Sequence, residues 1–239
     1  MSFTKSIYGM KSLVAGLILS TGIVSTSCID DLDAPTLPPT AYVSIYQGSP
    51  DAPAMDIYAN ANLVTRIPIQ YSQVMAYNPF YTGKRDFRFS EYNSATSLLE
   101  KEFTLDADSV YSMFIINEKA SLDAILVKDE WEEPNAEKAQ IRLAHISPDT
   151  EEVYLVVNEG TSPTISEINY KDVSEFIELP KGNTTLTIKS KTTNETLLTS
   201  GTLDLKGNRI YTLVIKGLKS ETTGDKKLDI QLITNYISY

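Results

Sequence analysis

One histidine, one cysteine and 31 carboxylates are the residues of this 239-residue chain best suited to chemistry. That composition forbids a zinc site built from several His or Cys ligands within one chain. A Ser-His-Asp triad would have to use His145, and no Gly-x-Ser-x-Gly elbow accompanies it. Neither a Walker loop nor a Gly-x-Gly-x-x-Gly stretch is present. Paired carboxylates could hydrolyse a glycosidic bond, but the spacing of the acids singles out no pair. The chain therefore reads as non-catalytic, with no cofactor and no metal, and a carboxylate-based glycoside hydrolase ranks third among its readings.

His145 follows Ile141 and Leu143 at spacing two, which puts it on the inward face near a strand end. A ring there bonds to nearby backbone in the Ser147-Pro148-Asp149 turn. Gln47 stands at the matching place before Ser49-Pro50-Asp51, another polar former of the same turn. Asp51 and Asp149 read as turn formers whose carboxylates accept backbone N–H bonds.

The richest binding chemistry is aromatic. "YSQVMAYNPFYTGKRDF" brings Tyr71, Tyr77, Phe80 and Tyr81 close together, and Trp131 ends the same region. Aromatic faces stack on sugars, and amphipathic Tyr and Trp anchor interfaces. The later stretch "YKDVSEFIELPKGNT" keeps Tyr170 and Phe176 but lacks the Phe80-Tyr81 pair. Tyr77, Phe80, Tyr81 and Trp131 are accordingly the ligand-binding candidates.

The elements that position these residues come in two copies. Ser49-Pro50-Asp51 and Ser147-Pro148-Asp149 lie 98 residues apart. "DSVYSMFIIN" answers "GNRIYTLVIKG", with Tyr111 and Tyr211 at an offset of 100, and "AILV" at 124–127 answers "IQLI" at 230–233. Ordered landmarks with slowly drifting offsets are the signature of a repeat. Within each copy apolar residues alternate with polar ones, as in Val43 and Ile45 or Leu186 and Ile188, and turn signals punctuate the strands. The expected fold is all-β: two tandem immunoglobulin-like antiparallel β-sandwiches, at 41–131 and 139–239, joined by a polar linker at 132–138.

Ahead of them, residues 1–27 carry Lys5, Lys11, the apolar run "LVAGLILSTGIV" and small residues, in the order of a secretory signal peptide. Twelve apolar residues make about 18 Å of helix, short of the ~30 Å hydrocarbon core. Residues 28–40, rich in proline and acid, read as an extended tether. Without the signal peptide the chain holds 19 basic and 31 acidic residues, a balance of −12. That argues against nucleic acid as a partner.

Four resemblances sharpen the picture. Cys28, placed just after small residues, resembles the lipidated cysteine of a bacterial lipoprotein, although Ser25 stands where such signals usually carry Leu. The alternative is an ordinary signal peptide with a spare thiol. Asp30, Asp31 and Asp33 resemble the acids that accompany surface export in Bacteroidetes lipoproteins, and they serve equally as a solvated linker. Asp108-Ser109-Val110 resembles a short O-glycosylation acceptor of such exported proteins, and a turn explains it as well. The segments "RLAHISPD" and "IYQGSPDAPAMDIY" resemble the repeats of the bacterial domain of unknown function 4397 family, as does Leu179-Pro180-Lys181-Gly182. That resemblance implies extracellular β-sandwich modules and no established activity. The expected protein is an outer-membrane lipoprotein facing the cell surface, held to the membrane through Cys28. It would bind an envelope protein or a glycan for adhesion or assembly, or else capture glycans for an outer-membrane uptake system.

Overall fold

A strand with alternating side chains buries one face, and the two alternating sets in each copy are satisfied by pairing two sheets over one core. The computed structural model describes residues 38–238. The expected signal peptide at 1–27, Cys28 and residues 29–37 of the expected tether lie outside the described residues.

The first copy contains β1 (Thr40–Gln47), β2 (Met55–Ala59), β3 (Asn62–Leu63), β4 (Val74–Tyr81), β5 (Gly83–Glu91), β6 (Ser97–Leu105), β7 (Val110–Ile116) and β8 (Asp123–Lys128). The second contains β9 (Lys138–His145), β10 (Val153–Val157), β11 (Ile165–Ile168), β12 (Ile177–Pro180), β13 (Gly182–Thr184), β14 (Leu186–Ser190), β15 (Thr196–Thr199), β16 (Leu203–Leu205), β17 (Arg209–Lys216) and β18 (Asp229–Ile237). The first copy pairs a β4-β1-β7-β8 sheet with a β3-β2-β5-β6 sheet. The second repeats this order as β12-β9-β17-β18 and β11-β10-β14-β15, with its long hairpin broken to leave the small β13-β16 ladder. Both copies are β-sandwiches, as the alternation predicts.

Most neighbours are antiparallel, but β1 pairs with β7, and β9 with β17, in parallel. A parallel neighbour needs a long crossover, and the whole second sheet of each copy supplies it. Val43, Ile45, Ile57, Phe87, Phe89, Met113 and Ile115 fill the first core, and Ile141, Leu143, Leu155, Leu186, Ile188, Leu213 and Ile215 fill the second.

Repeated local devices hold both copies. The Asp106 N–H donates to the Tyr111 hydroxyl at 3.2 Å, and the Lys206 N–H donates to Tyr211 at 3.2 Å. Asn60 and Asn158, at φ 53° and 56°, turn the chain after β2 and β10, and each side-chain oxygen accepts a backbone N–H from the facing strand. Asparagine tolerates this left-handed backbone better than most residues.

The described residues make one compact unit. The copies pack through the outward faces of the β4-β1-β7-β8 and β12-β9-β17-β18 sheets. Tyr46, Phe114, Ile116, Ala144, Ile146, Val214 and Ile233 form a third apolar cluster there. These sheets are therefore buried on both faces over much of their area, and β7, β9 and β17 are buried almost end to end.

Candidate functional site

The outward residues of the two central sheets converge on a seam. At its middle, Arg142 on β9 meets Asp129, just past β8, at 2.7 Å. The guanidinium also donates to Ser112 Oγ at 2.7 Å and to Thr212 Oγ1 at 3.0 Å. Thr212 donates to Asn235 Oδ1 at 2.7 Å, Asn235 Nδ2 donates to the Tyr77 hydroxyl at 2.9 Å, and Tyr77 donates to Asp129 Oδ2 at 2.5 Å. Ser112 adds a bond to the same carboxylate oxygen at 2.7 Å. The donors run one way round the ring, from Arg142 through Thr212, Asn235 and Tyr77 to Asp129, and the ion pair closes it. Each hydroxyl both gives and receives, so the network satisfies the buried charges. Burial and the neighbouring Asp129 charge push the Tyr77 phenol above its ordinary range.

The ring is built from equivalent positions of the repeat. Ser112 and Thr212 correspond at an offset of 100, and Ser44 and Arg142 at 98, by the matching registers of β1-β7 and β9-β17. Tyr77 corresponds to Phe176, whose ring lies 4.5 Å from the Arg142 guanidinium. Toward the far end of the seam, Tyr46 donates to Gln231 Oε1 at 2.8 Å, and Gln231 donates to the Ser72 carbonyl at 3.1 Å.

At the near end the seam opens in an aromatic mouth. Trp131 is stacked on Tyr236 at 5.7 Å between ring centres and meets Tyr77 and Phe176 edge-on at 6.4 and 6.0 Å. Tyr42 and Tyr81 lie on the outward face of the first copy, toward the start of β1. Thr40 pairs with Tyr81 and Tyr42 with Pro79, which makes the two tyrosines diagonal neighbours. Tyr42, Tyr81, Tyr236 and Ile237 are all exposed.

The four aromatic candidates thus separate. Tyr77 is locked in the ring. Phe80, 8% exposed, lies in the first core with its ring 5.6 Å from Phe87. Trp131 is a half-buried wedge between the copies. Tyr81, at 60% exposed, offers its face to solvent.

The turn residues hold strand ends together. Ser49 donates its N–H to Gln47 Oε1 at 2.5 Å. Asp51 accepts the Lys119 N–H at 2.6 Å, and Asp149 accepts those of Lys219 and Ser220 at 2.7 and 2.8 Å. Those bonds hold the Asp149 carboxyl below the usual range against the opposing effect of burial, which is the larger single influence. Ser147 Oγ bonds the Thr150 hydroxyl at 2.8 Å, and the half-buried Pro148 lies between them. His145 is fully buried with Nε2 3.1 Å from the Glu151 carbonyl, so Nε2 carries the proton. Desolvation lowers its pKa, and the Glu151 and Thr150 backbone offsets part of that. Ser109 is buried beside Asp108, whose φ of 56° makes the turn into β7.

Sequence reasoning missed Arg142, Asp129, Thr212 and Asn235. The available signal was a charged residue at an outward position between the apolar Ile141 and Leu143 of β9.

No curated protein matches the chain in sequence. A crystal structure of a "putative cell adhesion protein" from Bacteroides ovatus ATCC 8483 overlaps 84% of this chain and 98% of its own, at 10% identity and a TM-score of 0.23. A likeness at that level carries no argument. The model of the family described as Domain of unknown function (DUF4397) matches residues 41–156 and 153–238, two successive stretches in keeping with the duplication, and the chain belongs to that family.

Proposed function

We propose that this protein is a non-catalytic module of the cell envelope, anchored by lipid at Cys28 and facing outward, whose work is adhesion or assembly with envelope partners. One observation supports it above others: the histidine and the buried ion pair are both committed to structure. The only histidine is buried against a backbone carbonyl. The Arg142–Asp129 ring is closed by mutual bonds and joins the copies. Two sandwiches fastened in this way present a stiff surface, which suits display. Among the described residues, no helix is long and apolar enough to cross a membrane.

The test is fractionation and surface biotinylation of intact cells expressing the wild-type chain and Cys28→Ala. The wild type should partition with membranes, carry acyl mass on its N-terminal peptide and react with the label. Cys28→Ala should leave the membrane fraction. A wild-type chain that is soluble with a free thiol would refute the anchor. Glycan hydrolysis abolished by one carboxylate substitution would replace the reading with a hydrolase.

A further inference from the structure

The aromatic mouth lies at the same pole of the molecule as the entry of the chain. The Asp108 N–H bonds the Thr40 carbonyl, the Thr82 N–H bonds that of Pro39, and Tyr81 pairs with Thr40. The second copy runs the same way: Ile210 pairs with Tyr236 and Arg209 with both Ile237 and Ala139, at the start of β9. Tyr42, Tyr81 and Tyr236 are exposed at that pole, Tyr236 against Trp131, while the Ser-Pro-Asp turns of both copies lie at the other. From Cys28 to Thr40 the chain spans at most about 40 Å.

We infer that this aromatic pole is a membrane-docking face: Tyr42, Tyr81 and Tyr236 seat in the lipid–water interface of the bilayer that holds the Cys28 anchor. The inference rests on the anchored reading above. Tyr and Trp, apolar bodies with a polar edge, concentrate at that boundary. The short tether keeps the face at high local concentration near the bilayer, so weak individual contacts suffice. Charge does not drive the contact. Glu130, Glu132 and Glu133 are the sequence neighbours of Trp131, and the balance without the signal peptide is −12. The favoured surface is zwitterionic, and anionic lipid opposes docking.

β4 supplies its own control, since Tyr81 and Val74 are exposed at opposite ends of one strand, about 23 Å apart. The acylated full-length chain, as Tyr81→Trp and as Val74→Trp, is reconstituted into phosphatidylcholine vesicles with and without brominated phosphatidylcholine. Emission is read against the wild type, whose single tryptophan is Trp131. The expected result is at least twofold stronger quenching of the added tryptophan in Tyr81→Trp than in Val74→Trp, reduced by phosphatidylglycerol. Equal quenching at the two positions, or none at position 81, overturns the docking face. Emission at position 81 that ignores lipid but shifts with envelope oligosaccharides also overturns it and makes the face a sugar platform. Intact mass separates the two levels: an unacylated chain overturns anchor and docking together, while an acylated chain without quenching overturns the docking alone.

Discussion

Arg142 and Asp129 belong to different copies of the repeat, yet they form an ion pair at 2.7 Å with side chains 2% and 0% exposed. A buried charge left without its partner retains the desolvation penalty and loses the compensation. Arg142→Ala and Asp129→Ala should each cost about 3–5 kcal/mol, read from urea unfolding. The double change Arg142→Met with Asp129→Leu should cost less than either single alanine. If each single variant unfolds like the wild type, the seam does not hold the copies together.

Gly48 is pressed against the second copy. A Cβ there would collide with Ile146 Cδ1 and lie 2.9 Å from the Ile115 carbonyl oxygen. Gly48→Ala should destabilise by roughly 1–3 kcal/mol, and Ile146→Val should recover part of it. Strict additivity of the two changes would show that the contact is absent in solution.

The two neighbours in "PFY" should behave oppositely. Phe80→Ala removes a core ring and should lower stability by about 3–5 kcal/mol. Tyr81→Ala should stay within about 0.5 kcal/mol in thermal unfolding, because its ring faces solvent. A large loss at Tyr81 would move it into the core.

His145 gives the fold a pH dependence. Its folded pKa lies below the ordinary 6.5, so the neutral ring is the native form. Its contribution is complete above pH 6.5 and is lost as pH falls from there toward the lowered folded value, where the unfolded chain takes up the proton first. The carboxylates held low, Asp123, Asp149 and Glu151, act in a more acidic window, below about pH 4. His145→Gln, which installs the residue type of Gln47, should flatten the upper step and leave the acidic one. Chemical denaturation from pH 7 down to pH 3 measures both.

Tyr111→Phe and Tyr211→Phe each remove one acceptor for a backbone N–H, and each should cost about 1 kcal/mol. Tyr111 also donates to the Asp106 carboxylate at 3.2 Å, so Tyr111→Phe should cost at least as much as Tyr211→Phe. A loss confined to one copy would mean that the two loops carry unequal loads.

The strands and the duplication were legible because alternation and turn chemistry are local, and Tyr111 and Tyr211 mark the same place in each copy. The seam was not, because nothing in period-two patterning says what covers the outward face of a sheet. Arg142 among apolar neighbours, and Ser44 in its place in the first copy, held the clue. A buried Arg and an exposed one look alike in sequence until the partner carboxylate, Asp129, is placed in space. Phe80 and Tyr81 show the same limit: adjacent strand residues point to opposite faces, so only one of the pair could meet solvent.

The parallel course of the two copies has a geometric consequence. Modules strung end to end would carry their tips farther from the anchor with each duplication. Laid flank to flank, they add girth instead. Both Ser-Pro-Asp corners, with the Lys119 and Lys219 loops that clasp them, become one crown broader than either half could offer alone.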